Sequence, residues 1–276
     1  MGLVWGWCRA WTKATRLQQS AILQRRPAYH RWDAPEHRTL ASMSDAFSLA
    51  FALLLGADAE LLRVVGLSLR VSGTACLIGA GFGLLIGAGL AVARFPGQGA
   101  LVWGLNTLLA LPSVVVGLLV YLLLSRAGPL GSWGILFTPT AMIIAQSILV
   151  VPLIAALSRR LVLQALQDGG DQLRSLGAGH AACAALLLLH ERRGVLTVLL
   201  TAFGRAVSEV GAVMIVGGNI QGLTRVLTTT IALETSKGDL PLALALGMVL
   251  LAVVGLLNLL AGALQGRAAL RTEGLA

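Results

Sequence analysis

The sequence predicts an all-α polytopic membrane protein with about five transmembrane helices. Three observations carry that expectation. Of its 276 residues, 57% are hydrophobic and only 12% are charged, about half the charge of an ordinary soluble domain. The mean hydropathy is +0.83. Five apolar segments, residues 67–93, 100–124, 135–157, 195–217 and 240–264, are each long enough for the ~20 residues that a helix needs to cross a bilayer core.

Composition also narrows the partners. The net charge is +9, but most Lys and Arg residues lie in short inter-helix segments and an N-terminal stretch. That is the distribution of cytoplasmic membrane loops, so lipid and not nucleic acid is the expected neighbour. Cys8, Cys76 and Cys183 are far apart, with no CxxC pattern and no His at ligand spacing. Neither a zinc site nor a disulfide framework is expected. Cys76 lies in an apolar run and reads as a small packing residue.

Residues 1–42 differ from the rest. They hold Trp5, Trp7, Trp11 and Trp32 with seven Lys or Arg residues, from Arg9 to Arg38. No apolar stretch there is long enough for a signal-peptide core or a span. Either this is a basic, aromatic tail lying on anionic lipid, or it is an extension that is not translated, with the start at Met43. Residues 47–55 are apolar but too short to cross, and read as an interfacial or packed helix.

In the first span, Ala75, Gly79, Gly83, Gly87 and Ala91 stand four apart. Small residues at that spacing make a smooth face on which another helix can pack closely. Pro112, Pro139 and Pro152 lie inside or near the ends of the second and third spans, where each removes a backbone donor and bends its helix.

Orientation follows from the positive charges. The segment between the third and fourth spans, residues 158–193, contains Arg159, Arg160, Arg174, Arg192 and Arg193. The positive-inside rule makes it cytoplasmic. The first span then begins outside and the C-terminus lies in the cytoplasm. The basic N-terminal stretch opposes this topology, a conflict that a start at Met43 removes.

The fourth span poses the chemical question. It contains FGRAVSEVGAVMIVGGNI, residues 203–220, apolar except for Arg205, Ser208, Glu209 and the near-terminal Asn219. An ionised side chain in a membrane helix costs roughly 2.5–3.5 kcal/mol on insertion scales. Arg205 and Glu209 are four apart and share a helix face, so they can neutralise each other. Three roles are open: a structural pair, a positive lining for a path taken by an anion, or a gate. Gly217, Gly218 and Asn219 are expected to stop the helix. Beyond them, Thr228, Thr229 and Thr230 either line an entrance for an oxyanion, contact a receptor, or sit on a solvated amphipathic helix.

Within the cytoplasmic segment, DQLRSLGAG (residues 171–179) reads as a helix with a glycine break, followed by the apolar ACAALLLLH. Taken bare, this is two short helices joined by a turn. The pattern resembles the cytoplasmic loop of ABC importer permeases: Glu-Ala-Ala, three residues, Gly, then Ile-x-Leu-Pro. Asp171 stands in the place of the Glu. Gln172 and Leu173 replace the alanines, Gly177 matches the glycine, Leu187 and Leu189 match the apolar pair, and His190 replaces the proline. FGRAVSEVGA is similar to a stretch of molybdate-type and tungstate-type permeases. LPSVVVGLLVYLLLSRAGPLG, ILFTPTAMIIAQ, VGGNIQGLTRVLTTTIALETSKGD and LALALG look like the tungstate-type subunit in particular. The resemblance covers residues 43–264.

The resemblance implies a type I ABC importer permease fold over residues 43–276 and import of tungstate, with molybdate or sulfate as alternatives. It implies a homodimer, cytoplasmic ABC ATPase subunits that bind ATP and Mg, an external substrate-binding protein, and a bacterial inner-membrane location. It carries the ATPase-coupling role to Asp171, Leu173, Leu176, Gly177 and Ala178. Arg205, Ser208, Glu209, Gly211 and Asn219 are the candidates for the translocation path or gate.

Other classes fare less well. A membrane enzyme lacks a motif: there is no Gly-x-Ser-x-Gly or His-Glu-x-x-His, and His180 and His190 have no clustered carboxylates. A self-contained channel or secondary transporter would favour an inverted repeat, into which five spans do not divide. No Gly-x-x-x-x-Gly-Lys-Ser/Thr is present, so ATPase chemistry and its cofactors are expected in a separate chain.

Overall fold

The computed structural model describes residues 48–49, 51, 56, 59–175 and 179–273, without the side chains of 169–175, 260–261 and 263–273. The chain divides into residues 1–41, which lie outside the described residues together with the expected start at Met43, and the unit Ser42–Ala276. Of the expected interfacial helix at 47–55, only Ser48, Leu49 and Phe51 are described, and all three are helical.

The described residues form helices α1 (Ala59–Val92), α2 (Gln98–Leu109), α3 (Ser113–Leu124), α4 (Pro139–Ser175), α5 (His180–His190), α6 (Arg192–Val207), α7 (Gly211–Gly217), α8 (Leu227–Lys237) and α9 (Leu240–Glu273), with a 3-10 turn at Gly131–Trp133. Three helices, α1, α4 and α9, are single rods long and apolar enough to cross a membrane. The other two expected spans are broken: α2 and α3 meet at 97°, α6 and α7 at 56°. Counting each bent pair as one span gives the expected five.

The two breaks have different causes. At the first, Pro112 is the N-cap of α3; its ring and missing donor cannot continue α2. Pro139 is instead the first residue of α4, a position where the missing N–H costs nothing. Pro152 lies inside α4, which runs on through it. The second break comes at Ser208, Glu209 and Val210 without a proline, and its cause is polar.

α1 packs along α4 through its small-residue face. Ala75, Gly79, Gly83, Gly87 and Ala91 are all buried. A Cβ on Gly79 would stand 2.7 Å from Val150 Cγ1, and one on Gly83 2.8 Å from Ile154 Cβ. At Gly87 it would overlap the Ser158 hydroxyl and the Ala155 carbonyl. The expected packed interface is therefore present, and its partner is α4. Cys76 is buried against Val150, Ile154 and Ala202, as a packing residue.

Residues 158–193 depart from the expected two short helices. Their first half is the C-terminal end of the 37-residue α4, and only α5 is a separate short helix. Outward faces carry large apolar side chains, among them Leu77, Leu85, Trp103, Leu251 and Leu259, as lipid contact requires.

Candidate functional site: the break between α6 and α7

A helix that ends inside a bilayer exposes backbone groups that water cannot satisfy, and each must find a partner in the protein. The α6–α7 break meets this requirement with four side chains. Ser208 N–H donates to the Gly204 carbonyl at 3.2 Å and its hydroxyl to the Arg205 carbonyl at 3.1 Å. Gln146 on α4 donates from Nε2 to the Ala206 carbonyl at 2.9 Å. The Thr228 hydroxyl at the start of α8 donates to the Glu209 carbonyl at 2.9 Å.

Glu209 has the central part. Its side chain is 4% exposed. One carboxylate oxygen accepts from the Ala212 N–H at 3.3 Å, which caps the first turn of α7. The other accepts from Arg205 Nη1 at 2.8 Å. A carboxylate at a helix start is also favoured by the positive end of the helix dipole. Glu209 is thus a capping residue at a break as well as half of an ion pair. The pair is lopsided, because the Arg205 side chain is 54% exposed on the outer surface of the chain.

The two broken spans meet behind the breaks. α3 packs on α7, with Val116, Val120 and Leu124 against Ala212, Val213 and Val216. A Cβ on Gly117 would lie 2.9 Å from Ala212 Cα, and one on Gly211 2.9 Å from Ser113 Oγ. The start of α7 therefore sits directly against the start of α3. Ser208 is exposed beside Arg205.

Asn219 belongs elsewhere. α7 ends at Gly217, and Gly218 caps it in the left-handed region with φ 67, as expected for a glycine stop. Asn219 follows at φ 50. It lies at the far end of a seven-residue helix, about 10 Å from the break at 1.5 Å per residue. Phe137, itself at φ 60, fastens that end by donating its N–H to the Val216 carbonyl at 3.0 Å. The site therefore unites Arg205, Ser208, Glu209 and Gly211 but not Asn219.

The threonine run faces inward. Thr228 and Thr229 are buried. Thr229 Oγ1 accepts the Val226 N–H at 3.1 Å, and Thr230 donates to the Val226 carbonyl. These hydroxyls build the start of α8 and hold the break; they do not line an entrance. Of the coupling candidates, Asp171 and Leu173 lie on the helical backbone at the end of α4, with side chains outside the description. Leu176, Gly177 and Ala178 lie outside the described residues. The end of α5 and start of α6 frame an open cavity of about 570 Å³, lined by Leu186, Leu189, His190, Glu191, Arg192 and Arg193.

Sequence reasoning missed Gln146, Ser68, Ser72 and the role of Thr228. A signal for Gln146 was available: a single amide amid the apolar third span has to find a partner. Ser68 and Ser72 stand four apart and so share a face of α1, but serines satisfy themselves on their own helix too readily for that spacing to be diagnostic.

No protein-family model matches the chain. The chain is 40% identical over 227 residues to the "Tungstate uptake system permease protein TupB" of Peptoclostridium acidaminophilum, covering 81% of this chain and 98% of the relative. It is 41% identical to a "Probable anion ABC transporter permease protein" of Haloferax volcanii, covering 75% and 91%. Sulfate and molybdenum permeases match at 28–32%. Among solved structures, a chain of a bacterial ABC transporter that imports the acidic polysaccharide alginate superposes with a TM-score of 0.60 at 18% identity, covering 94% of this chain and 96% of the other. That likeness speaks to the fold.

Proposed function

Since the chain belongs to the tungstate-uptake permeases of the ABC importers, we propose that it forms the membrane path of an ATP-driven importer of tungstate. The observation that carries this is the 40% identity to a tungstate permease across 98% of its length, against 28–32% for sulfate and molybdenum permeases. The chain is a multi-pass inner-membrane protein. Tungsten uptake by cells lacking the gene, with and without the gene restored, tests the substrate. Restored tungstate uptake that excess molybdate and sulfate suppress only weakly is expected. Stronger suppression by either competitor than by unlabelled tungstate would overturn the assignment.

The partners follow from the family. ATP and Mg belong to a cytoplasmic ATPase, and tungstate arrives on an external binding protein. The residues 158–193 face the cytoplasm, where Asp171, Leu173, Leu176, Gly177 and Ala178 dock the ATPase. Gly177→Asp should abolish ATPase co-purification at unchanged permease abundance. The unit is a homodimer with one path between two copies. Support comes from the core of a single copy, where the cavity at the break has about 10 Å³ of room for the centre of a water molecule, far too little for a tetraoxo dianion.

The Arg205–Glu209 pair shapes this path and does not bind its cargo. A transported dianion must leave, and an unpaired fixed cation would hold it. Neutralising Arg205 with Glu209 removes that trap. The paired charges, Ser208 and Gly211 serve as the pinned joint on which the gate turns, and Asn219 marks the other end of the moving half-helix α7.

A further inference from the structure

Behind Glu209 lies a small internal cavity where α1, α4, the α6–α7 break and the start of α8 meet. Its polar lining consists of Ser68, Ser72, Gln146, Glu209 and Thr228, all buried. Most of their hydrogen-bonding capacity is already committed. Ser68 donates to the Val64 carbonyl and accepts the Leu227 N–H. Thr228 gives its only proton to the Glu209 carbonyl. Gln146 Nε2 donates to the Ala206 carbonyl and lies 3.5 Å from Ser72 Oγ.

What is left over is specific. Gln146 is 3% exposed, and its Oε1 is buried with no partner. Turning the amide over is no remedy, because it would set two oxygens against each other at Ala206. The Glu209 carboxylate has used two of its four acceptor sites. Among the polar lining groups, only the Ser72 hydroxyl proton has no acceptor assigned among the described residues. The cavity thus offers at least two acceptors and one donor. Its volume, about 10 Å³ for a water centre, is close to the roughly 10–15 Å³ that admits one water. An anion is excluded by the carboxylate, and an apolar filler would leave Gln146 Oε1 unsatisfied.

We propose that this cavity is a hydration site for one ordered water molecule. The water donates to Gln146 Oε1 and to the Glu209 carboxylate and accepts from the Ser72 hydroxyl. Three hydrogen bonds are the usual complement of a buried water. Through it the break is tied to α1 and α4 by a partner that can reorient when the joint turns. The inference does not depend on which anion is carried.

Cryo-electron microscopy of the assembled transporter, at a resolution that shows ordered waters, tests it in sodium and in choline buffer. Density is expected in both, about 2.7–3.0 Å from the three partners. An empty cavity in both buffers, or density that appears only with sodium, would overturn the proposal. A second readout turns on the sign of a stability change. Ser72→Val fills the space with methyl groups and evicts the water. A fall in Tm of roughly 2–4 °C is expected, because Gln146 Oε1 is then stranded. A rise in Tm would mean that the substitution filled a dry void, and the hydration site would be refuted.

Discussion

Two contacts in this protein are closed by glycines, and they behave differently. In the α1–α4 seam, Gly79, Gly83 and Gly87 let two unbroken helices lie side by side. Most backbone donors and acceptors there are spent within each helix, and the Ser158 hydroxyl adds a bond to the Gly83 carbonyl at 3.4 Å, so the seam rests mainly on shape. In the α3–α7 contact, Gly117 and Gly211 bring together two helices that both start beside a break. Breaking a helix frees backbone groups, and inside a membrane those groups demand partners. Glu209, Gln146, Ser208 and Thr228 supply them. A smooth face makes a fixed joint, whereas a broken helix makes a joint that polar side chains must hold.

The largest effect should come from the seam. At Gly87 the obstacle is the Ala155 carbonyl and the Ser158 hydroxyl, and backbone cannot swing aside. Gly87→Leu should exceed the roughly 1–3 kcal/mol usual for overpacking and remove folded protein from the membrane, as measured by detergent-resistant abundance. Near-normal abundance would mean that α1 and α4 do not pack as described.

The break should respond next, and asymmetrically. Arg205→Ala leaves a buried carboxylate without its cation. Stranding one partner of a fully buried pair costs roughly 3–5 kcal/mol, and the cost here is smaller because Arg205 is half exposed. Glu209→Gln keeps an acceptor for the Ala212 N–H and removes the charge, so it should be close to neutral in abundance. This differs from a symmetric buried pair, in which either single substitution does equal harm and two leucines restore the fold. Two leucines here would lose the α7 cap, worth about 1 kcal/mol. Equal losses from Arg205→Ala and Glu209→Gln would contradict the capping role.

Smaller effects should follow from the edges of the joint. Gly211→Val meets the Ser113 hydroxyl and a Val114 methyl, both side-chain ends that can yield. A loss of about 1 kcal/mol, seen as a modest drop in Tm, is expected, with uptake falling more than abundance. Thr228→Val keeps the shape and deletes one hydrogen bond to the Glu209 carbonyl, worth roughly 0.5–1.5 kcal/mol. Its expected signature is a Tm shift with little change in uptake.

The seam was legible in the sequence and the joint only in part, for a physical reason. Residues four apart on an unbroken helix keep their geometry, so Ala75 to Ala91 could be read as one face. Arg205 and Glu209 could be paired by the same rule, and they do pair at 2.8 Å. The break between them could not be read that way, because Glu209 caps the next helix and Gln146 approaches from 60 residues away in sequence. Hydropathy alone drew the second and fourth spans as single rods. Pro112 marked the first break, whereas no proline marks the second and Gly211, at the start of α7, is one of many glycines in the spans. The threonines misled because hydroxyls suit an entrance and a helix start equally well, and only their burial decides between them.

The central claim is that Arg205 and Glu209 hold the joint and do not bind the anion. Tungstate uptake by the double variant Arg205→Ala with Glu209→Gln, compared at matched membrane abundance, tests it most directly. The account predicts that the second substitution restores the abundance lost in Arg205→Ala, and that uptake per molecule returns to within about twofold of the parent, less than the tenfold that 1.4 kcal/mol would represent. Full abundance with no uptake would contradict it, and would mean that the path or gate needs the charges of the pair.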